Sequence, residues 1–310
     1  MEEKGLHKKM IIADFSLLLV ALFWGSNFII IKEALDVIEP FTYLGLRFTL
    51  AALILAPFFW RRLSKVSLND CLVGCLLGLF LFAGFAFQTV GLLFTTPANS
   101  GFISNMAVVI VPFLYFLVTR HFPGWWSFVG GGLAAAGLYF LSVDEALGFG
   151  LGDGLTLVCA FMFAAHVIAV GVHVRRLDPI VLAITQVAFT GLASLAVAVF
   201  YEPVGVMLNQ PLHIWGAIFY AIIFCTIGAF VTQNIAQRHT SSSHTALILS
   251  LEAVFAGLFS FFFWDEVFTF RKFIGALLIF AGILIAELRP VIVAKIAARR
   301  EVIARGRVDE

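Results

Sequence analysis

Ten stretches of this chain are too long and too apolar for water to be their main solvent. A helix that crosses a bilayer needs about 20 mostly apolar residues. Residues 14–34, 41–60, 70–94, 98–119, 125–143, 154–174, 180–200, 213–237, 243–264 and 272–289 meet or approach that length. They hold roughly two thirds of the 310 residues, and the joints between them are short and marked by Pro40, Pro97, Pro123, Pro179 and Pro211. No gap is long enough for a soluble domain. Only 13% of residues are charged, against about 25% in soluble domains. Period-two alternation is missing, which argues against an outer-membrane barrel. The pattern predicts an all-α integral membrane protein with ten transmembrane helices.

The basic residues orient these helices. With the N-terminus in the cytoplasm, 16 of the 20 Lys and Arg fall on cytoplasmic segments. Lys32, Arg271 and Lys272 fall outside and Arg47 lies within a helix. That asymmetry follows the positive-inside rule; it predicts a multi-pass protein of the cytoplasmic (inner) membrane with both termini inside. Lys4, Lys8 and Lys9 precede an apolar run as in a signal peptide, but Ile11–Ile31 is longer than a signal core and no A-x-A site closes it. It reads as a retained first helix. The tail from 291 mixes apolar and basic residues, and reads either as a segment on the inner leaflet or as a continuation of the tenth helix.

The chain repeats itself. At a shift of 139, Asp14 meets Asp153, Trp24 meets Phe163, Asn27 meets His166, Glu39-Pro40 meets Asp178-Pro179, and Arg47 meets Gln186. Further on the shift is 145, so that Gln88 meets Gln233, Thr95 meets Thr240 and Asn99 meets His244. Five helices per unit is an odd number, so the second unit enters the membrane upside down. The expected organisation is a first five-helix repeat over 1–145, a second, inverted one over 146–290, and a basic cytoplasmic tail over 291–310. Inverted halves recur among carriers, because exchanging their conformations turns one open side into the other.

Several stretches resemble a known family. WGSNF–x3–K (Trp24–Lys32), Glu39-Pro40 followed by LxLRF (Leu44–Phe48), and FQTVGL–x3–TPANSGFI (Phe87–Ile103) are similar to the first half of EamA-type members of the drug/metabolite transporter superfamily. Ser250–Glu266, SLEAVFAGLFSFFFWDE, and the following IGALLIFAGILI resemble its closing pattern. The resemblance covers about residues 13–289. It implies a carrier, since such proteins export amino acids, related metabolites and some drugs, and a few take compounds up. Two positions depart from the pattern. Ala253 stands where the family often has proline, implying a straighter ninth helix. Arg120-His121-Phe122 stands where it often has Gly-Glu.

Polar groups in hydrocarbon are costly and face the bundle interior or a wet cavity. Asn27 is one turn from Trp24, and His166 one turn from Phe163, so each pair shares a face. A pseudo-axis in the membrane plane turns these faces toward each other as two sides of one substrate cavity; the other reading of Asn27 is a packing bond to a neighbouring helix. Arg47 lies about 10 Å past Pro40 at 1.5 Å per residue. It reads either as a partner for a substrate carboxylate or as a side chain that snorkels or bonds helix-end carbonyls. Gln88, Gln186 and Gln233 complete the substrate-binding candidates, with structural bonding the other reading of Gln88 and Gln233. Thr226, Gln233 and Gln237 form one stripe toward an inner vestibule. Glu252, with Thr245 one heptad earlier on its face, serves proton coupling or a structural bond. Asp265 and Glu266 read as solvated end charges. The glycines of Gly130–Gly137, with Gly275 and Gly282, read as close-packing surfaces.

Other classes find no motif. There is no phosphate-binding G-x-x-x-x-G-K-[ST] loop for ATP, no HExxH and no nucleophile–base set, so no enzyme is expected. The cysteines Cys71, Cys75, Cys159 and Cys225 form no CxxC, so no metal and no cofactor is expected. The net charge of +1 does not point to nucleic acid. The expected partners are the bilayer and a small-molecule substrate, with protons as coupling ion or downhill transport as the two options and the monomer as the working unit. The function expected is a secondary carrier exporting a small amphipathic metabolite (an amino acid or aromatic compound, from Trp24, Phe163 and Phe87). An uptake carrier of the same fold and a non-transporting receptor or scaffold are the alternatives.

Overall fold

The computed structural model describes residues 2–95, 97–122, 124–142, 150–203, 210–263, 269–271, 273–275, 277–282 and 285. Asp265, Glu266 and the basic tail lie outside the described residues. Helices account for nearly all of the rest, and there is no strand among the described residues. In chain order they are α1 (Glu2–Leu35), α2 (Pro40–Phe58), the single turn α3 (Trp60–Leu63), α4 (Leu68–Leu92), α5 (Pro97–Ser104), α6 (Ala107–Thr119), α7 (Trp125–Ser142), α8 (Leu151–His173), α9 (Pro179–Tyr201), α10 (Leu212–Ile222), a π-helical turn (Ile223–Gly228), α11 (Ala229–Ala236), α12 (Ser242–Leu249) and α13 (Leu251–Phe263). Eight stretches are long and apolar enough to cross a membrane, and Phe273–Gly282 forms a shorter apolar helix. These eight correspond to eight of the ten predicted segments. Segment 125–143 is helical as α7, and only part of 272–289 is described. Leu53, Phe58, Leu192 and Phe200 are among many large apolar side chains left on the outside. A patch that extensive on a water-soluble protein would aggregate, whereas lipid solvates it.

Helix starts carry their own partners. Ser67 and Asp70 form a reciprocal cap on α4, and Asp178 accepts from Ile180 N and Val181 N at the start of α9. The start of α2 has no cap from its own side chains. Glu202, at the far end of α9, accepts from Phe41 N (2.8 Å), Thr42 N (2.7 Å) and Thr42 Oγ1. At the other end of the same pair, Arg62 from α3 donates to Asp178 (2.7 Å). The antiparallel helices α2 and α9 are therefore tied at both ends, and between the ties their backbones meet closely. A Cβ on Gly191 would fall 2.5 Å from Thr49 N, and one on Gly45 2.6 Å from Leu195. The apolar cluster around Tyr43, Leu44, Phe48, Leu81 and Phe230 packs over this pair.

Two helix breaks matter most for the site. Segment 98–119 parts at Asn105–Met106 into α5 and α6, and segment 243–264 parts at Ser250 into α12 and α13. Ser and Asn side chains compete with the helix ladder for its carbonyls. Asn105 Nδ2 donates to Gly101 O, Ser104 Oγ to Ser100 O, and Ser250 Oγ to Leu247 O. Ser250 interrupts the helix three residues before Ala253, without a proline. The interruption falls between Thr245, which is wholly buried, and Glu252. Asn105 and Ser250 are 145 positions apart, the offset at which the sequence repeats in this region.

Glycine stripes bring other helices together. A Cβ on Gly137 in α7 would fall 2.5 Å from Gly275 O, and one on Gly282 2.5 Å from Gly130 O. Gly130, Gly137, Gly275 and Gly282 meet closely as expected, whereas nothing lies within 4 Å of a Cβ on Gly132. Gly91 of α4 and Gly152 of α8 face each other likewise, with Cβ positions 2.9 and 2.7 Å from the opposite carbonyls.

Replacing Gly91 by Val should destabilise the protein by about 1–3 kcal/mol, since backbone, not a movable side chain, occupies the space; thermal unfolding in detergent reads it. Arg120, the C-cap of α6, has φ 56°, a left-handed conformation that suits glycine. Arg120→Gly should raise stability by about 0.5–1 kcal/mol in the same assay.

Candidate functional site

Where α1, α4, the α5–α6 break, α8, α11 and the α12–α13 break converge, they leave a cavity of about 70 Å³. That is space for roughly five waters at about 15 Å³ each. Trp24 and Asn27 line it from α1, Gln88 from α4, Phe163 and His166 from α8, Gln233 from α11 and Glu252 from α13. Helical spacing explains the pairs: residues three apart on one helix share a face. The same rule adds Phe85 and Phe230, three before Gln88 and Gln233, and both line the cavity. Phe87, expected there from sequence, does not, because one step along a helix turns a side chain by about 100°. Phe85 supplies the ring instead.

The histidine is oriented by a chain of amides. Asn234 Nδ2 donates to Pro179 O (3.2 Å), and a carbonyl can only accept. Asn234 Oδ1 is thereby left to accept from Gln186 Nε2 (3.4 Å). Gln186 Oε1 in turn meets His166 Nε2 at 2.7 Å, so His166 carries its proton on Nε2 and donates. A second chain orients Gln233. Gln237 Nε2 donates to Val167 O (2.9 Å) and Gln237 Oε1 accepts from Gln233 Nε2 (3.2 Å). The remaining oxygen, Gln233 Oε1, is buried with no partner among the described residues, as is Asn27 Oδ1. No described hydrogen bond or ion pair holds the Glu252 carboxylate.

Two candidates stand away from the cavity. Gln186 touches it only through His166. Arg47 is wholly buried, so it neither snorkels to the surface nor lines the wall. Its Nε donates to Thr226 Oγ1 (2.7 Å) and its Nη2 to Cys225 O (3.0 Å). The Phe48 and Phe85 rings lie 5.1 Å from the guanidinium carbon, close enough for cation–π attraction. The π-helical turn makes this possible. There Ala229 N reaches back five residues to Phe224 O, and the slipped ladder lets Cys225 O take side-chain donors, Trp24 Nε1 (2.9 Å) as well as Arg47. The turn also breaks the expected stripe. Thr226 faces Arg47, Gln233 faces the cavity, and Gln237 binds Val167 O.

Ser104, Asn105 and Phe230 are wall residues that the sequence reading passed over. The polar pair Ser104-Asn105 inside an apolar run was the available signal for the first two, and the three-residue spacing before Gln233 was the signal for Phe230. Among the described residues no group of His, Cys, Asp and Glu could hold a metal ion.

Comparison with known proteins agrees with this architecture. A protein of known crystal structure superposes with a TM-score of 0.75 at 18% identity, covering 89% of this chain and 96% of its own; it shares the fold. An uncharacterized transporter of Archaeoglobus fulgidus is 37% identical over 285 residues, 91% of this chain and 87% of its own. The uncharacterized transporter YyaM of Bacillus subtilis is 23% identical, over 86% of this chain and 90% of its own. The model of the EamA-like transporter family matches twice, at residues 11–143 and 150–288. This multi-pass membrane protein belongs to the EamA-like transporter family, within the drug/metabolite transporter superfamily.

Proposed function

We propose that the protein is a secondary carrier that exports a small amphipathic metabolite, an amino acid or aromatic compound, by alternating access. It would work as a monomer in the inner membrane, with both termini in the cytoplasm and ten helices arranged as two inverted five-helix repeats. The observation that carries the reading is a cavity walled by repeat-related residues of both halves, Asn27 with His166 and Gln88 with Gln233, in a chain of a transporter family. Broken helices beside a buried site are a recurring feature of such carriers, and here both breaks border it.

Contacts of similar kind tie the two ends of the bundle around the cavity. At the C-terminal end of α1, Lys32 donates to Leu92 O (3.0 Å) and Thr95 Oγ1 to Asp153 (2.7 Å). At its N-terminal end, Arg238 donates to Val174 O (3.2 Å) and His244 pairs with Asp14 (2.8 Å). Each end thus has one cation on a carbonyl and one aspartate contact. Alternation would release one set while the other stays closed. Glu252, the acid in the wall, is the place for a coupling proton.

In proteoliposomes the protein should give saturable flux of an aromatic or aliphatic amino compound. His166→Ala and Asn27→Ala should lower it at least tenfold, and full activity in both would remove this cavity from the mechanism. Solute binding with no flux would favour a receptor on the same fold. Uptake into cells down no outward gradient would reverse the direction. If Glu252→Gln still responds to an imposed pH gradient, the proton is carried elsewhere.

The topology has its own test. With native cysteines replaced by serine, Ser64→Cys and Gln210→Cys should react with an impermeant maleimide from opposite sides, Ser64→Cys from the cytoplasm. Labelling from one and the same side would rule out inverted repeats.

A further inference from the structure

Four aromatic rings run in an arc along the cavity wall. Trp24 lies 5.4 Å from Phe230, Phe230 6.2 Å from Phe85, and Phe85 5.1 Å from Phe163, and all four line the space. The arc follows the repeat: Trp24 meets Phe163 at the shift of 139, and Phe85 meets Phe230 at the shift of 145. Its two ends are held differently. Trp24 is fixed by the hydrogen bond from Nε1 to Cys225 O (2.9 Å). A phenylalanine has no such handle, and Phe163 is placed by packing. What it packs into is a notch in α4. The buried Gly84 lies on the same helix face as the wall residues Leu81, Phe85 and Gln88. A Cβ there would fall on the Phe163 ring, 2.5 Å from Cδ1, and the three atoms nearest to it all belong to that ring. At the shift of 145 the matching position is Ala229, which carries the methyl group and is buried in the cluster against which Trp24 packs. The notch is open at one end of the arc and filled at the other.

Resting on the carrier reading above, we propose that Gly84 determines how bulky a solute the cavity accepts, by seating the Phe163 ring back from a subsite for the solute's apolar or aromatic side group. A methyl group at this position meets the far end of a side chain and not backbone, unlike the close approaches at Gly91 and Gly137. The protein absorbs it by turning the ring, and the open side of the ring is the cavity. In a space of about 70 Å³, the lost volume falls on the largest occupants. Selection of this kind is steric: one methylene more or less in an apolar pocket changes discrimination by roughly 10–200-fold. The cluster around the ring suits an apolar group, since its neighbours Leu81 and Phe85 offer no hydrogen bond.

Flux of L-alanine, L-leucine, L-phenylalanine and L-tryptophan, measured on the full chain in proteoliposomes against protein-free vesicles, tests this. Gly84→Ala should lower the ratio of phenylalanine to alanine flux at least tenfold, and adding Phe163→Leu should restore most of it. Phe163→Leu alone should raise the ratio of tryptophan to phenylalanine flux, which keeps the proposal testable should Gly84→Ala not fold. Independently of any solute, 4-fluorophenylalanine placed at position 163 alone reports the ring by fluorine NMR in nanodiscs, and Gly84→Ala should shift its signal. Unchanged ratios in folded Gly84→Ala or Phe163→Leu protein overturn the proposal. Equal loss for all four amino acids marks a packing position and overturns the role in selectivity. Loss that Phe163→Leu does not recover, or an unshifted fluorine signal, overturns the route through the ring. Flux of none of the four by the unaltered protein removes the carrier reading for amino acids and the proposal with it, even where the fluorine signal shows the ring displaced.

Discussion

Inside a bilayer a polar group has no water to fall back on, so each must find its partner in the protein or leave a cost unmet. That constraint organises this molecule. Arg47 answers it with a π-helical turn that gives up a carbonyl, and with two aromatic rings. Gln186, Asn234 and Gln237 answer it by handing hydrogen bonds along to backbone oxygens. Thr190 and Ser194 return theirs to the preceding turn of their own helix. The accounting does not balance everywhere: Asn27 and Gln233 in the cavity wall keep unmet oxygens, and outside the wall Arg47 Nη1 and the hydroxyls of Tyr43, Thr49, Thr89, Ser100 and Thr245 are buried without described partners.

The helices themselves were legible in the sequence, because run length against bilayer thickness is a strong constraint and eight long apolar helices follow it. The pairing of Trp24 with Asn27, and of Phe163 with His166, was legible for a related reason: three-residue spacing fixes a face before any tertiary contact is known. The breaks at Asn105 and Ser250 were not read. A serine or asparagine in an apolar run is compatible with an unbroken helix, and only the tertiary setting decides whether its side chain takes the ladder's carbonyl. Arg47 was readable only as far as its two options, since a distance from Pro40 gives depth and not direction. Its destination depends on a slipped turn about 180 positions away in the chain, which no local pattern announces. Gln186, expected to bind substrate, contacts another side chain of the same half, His166, rather than the cavity.

Ala253 and Arg120, the two positions that depart from the pattern the sequence resembles, have different physical weights. Ser250 already interrupts the helix three residues before Ala253. Arg120 in place of glycine leaves a side chain on a left-handed backbone position, a local strain at the end of α6, and α6 itself contributes Ala107 and Val108 to the cavity wall. The scaffold around them is less forgiving. Where Gly25 crosses α13, a Cβ would fall 2.7 Å from the carbonyl of Glu252 itself, so the position of the acid depends on the absence of a methyl group two residues from Asn27.

The pairs at the two ends of α1, Lys32–Leu92 with Thr95–Asp153 and Arg238–Val174 with Asp14–His244, are alike in kind and number. Among the described residues neither end is bolted by a large ion network or a disulfide. On the carrier reading proposed above, two shut forms fastened so similarly would lie near each other in free energy, like a balance with equal pans, and a stronger clasp at one end would trap the machine on that side.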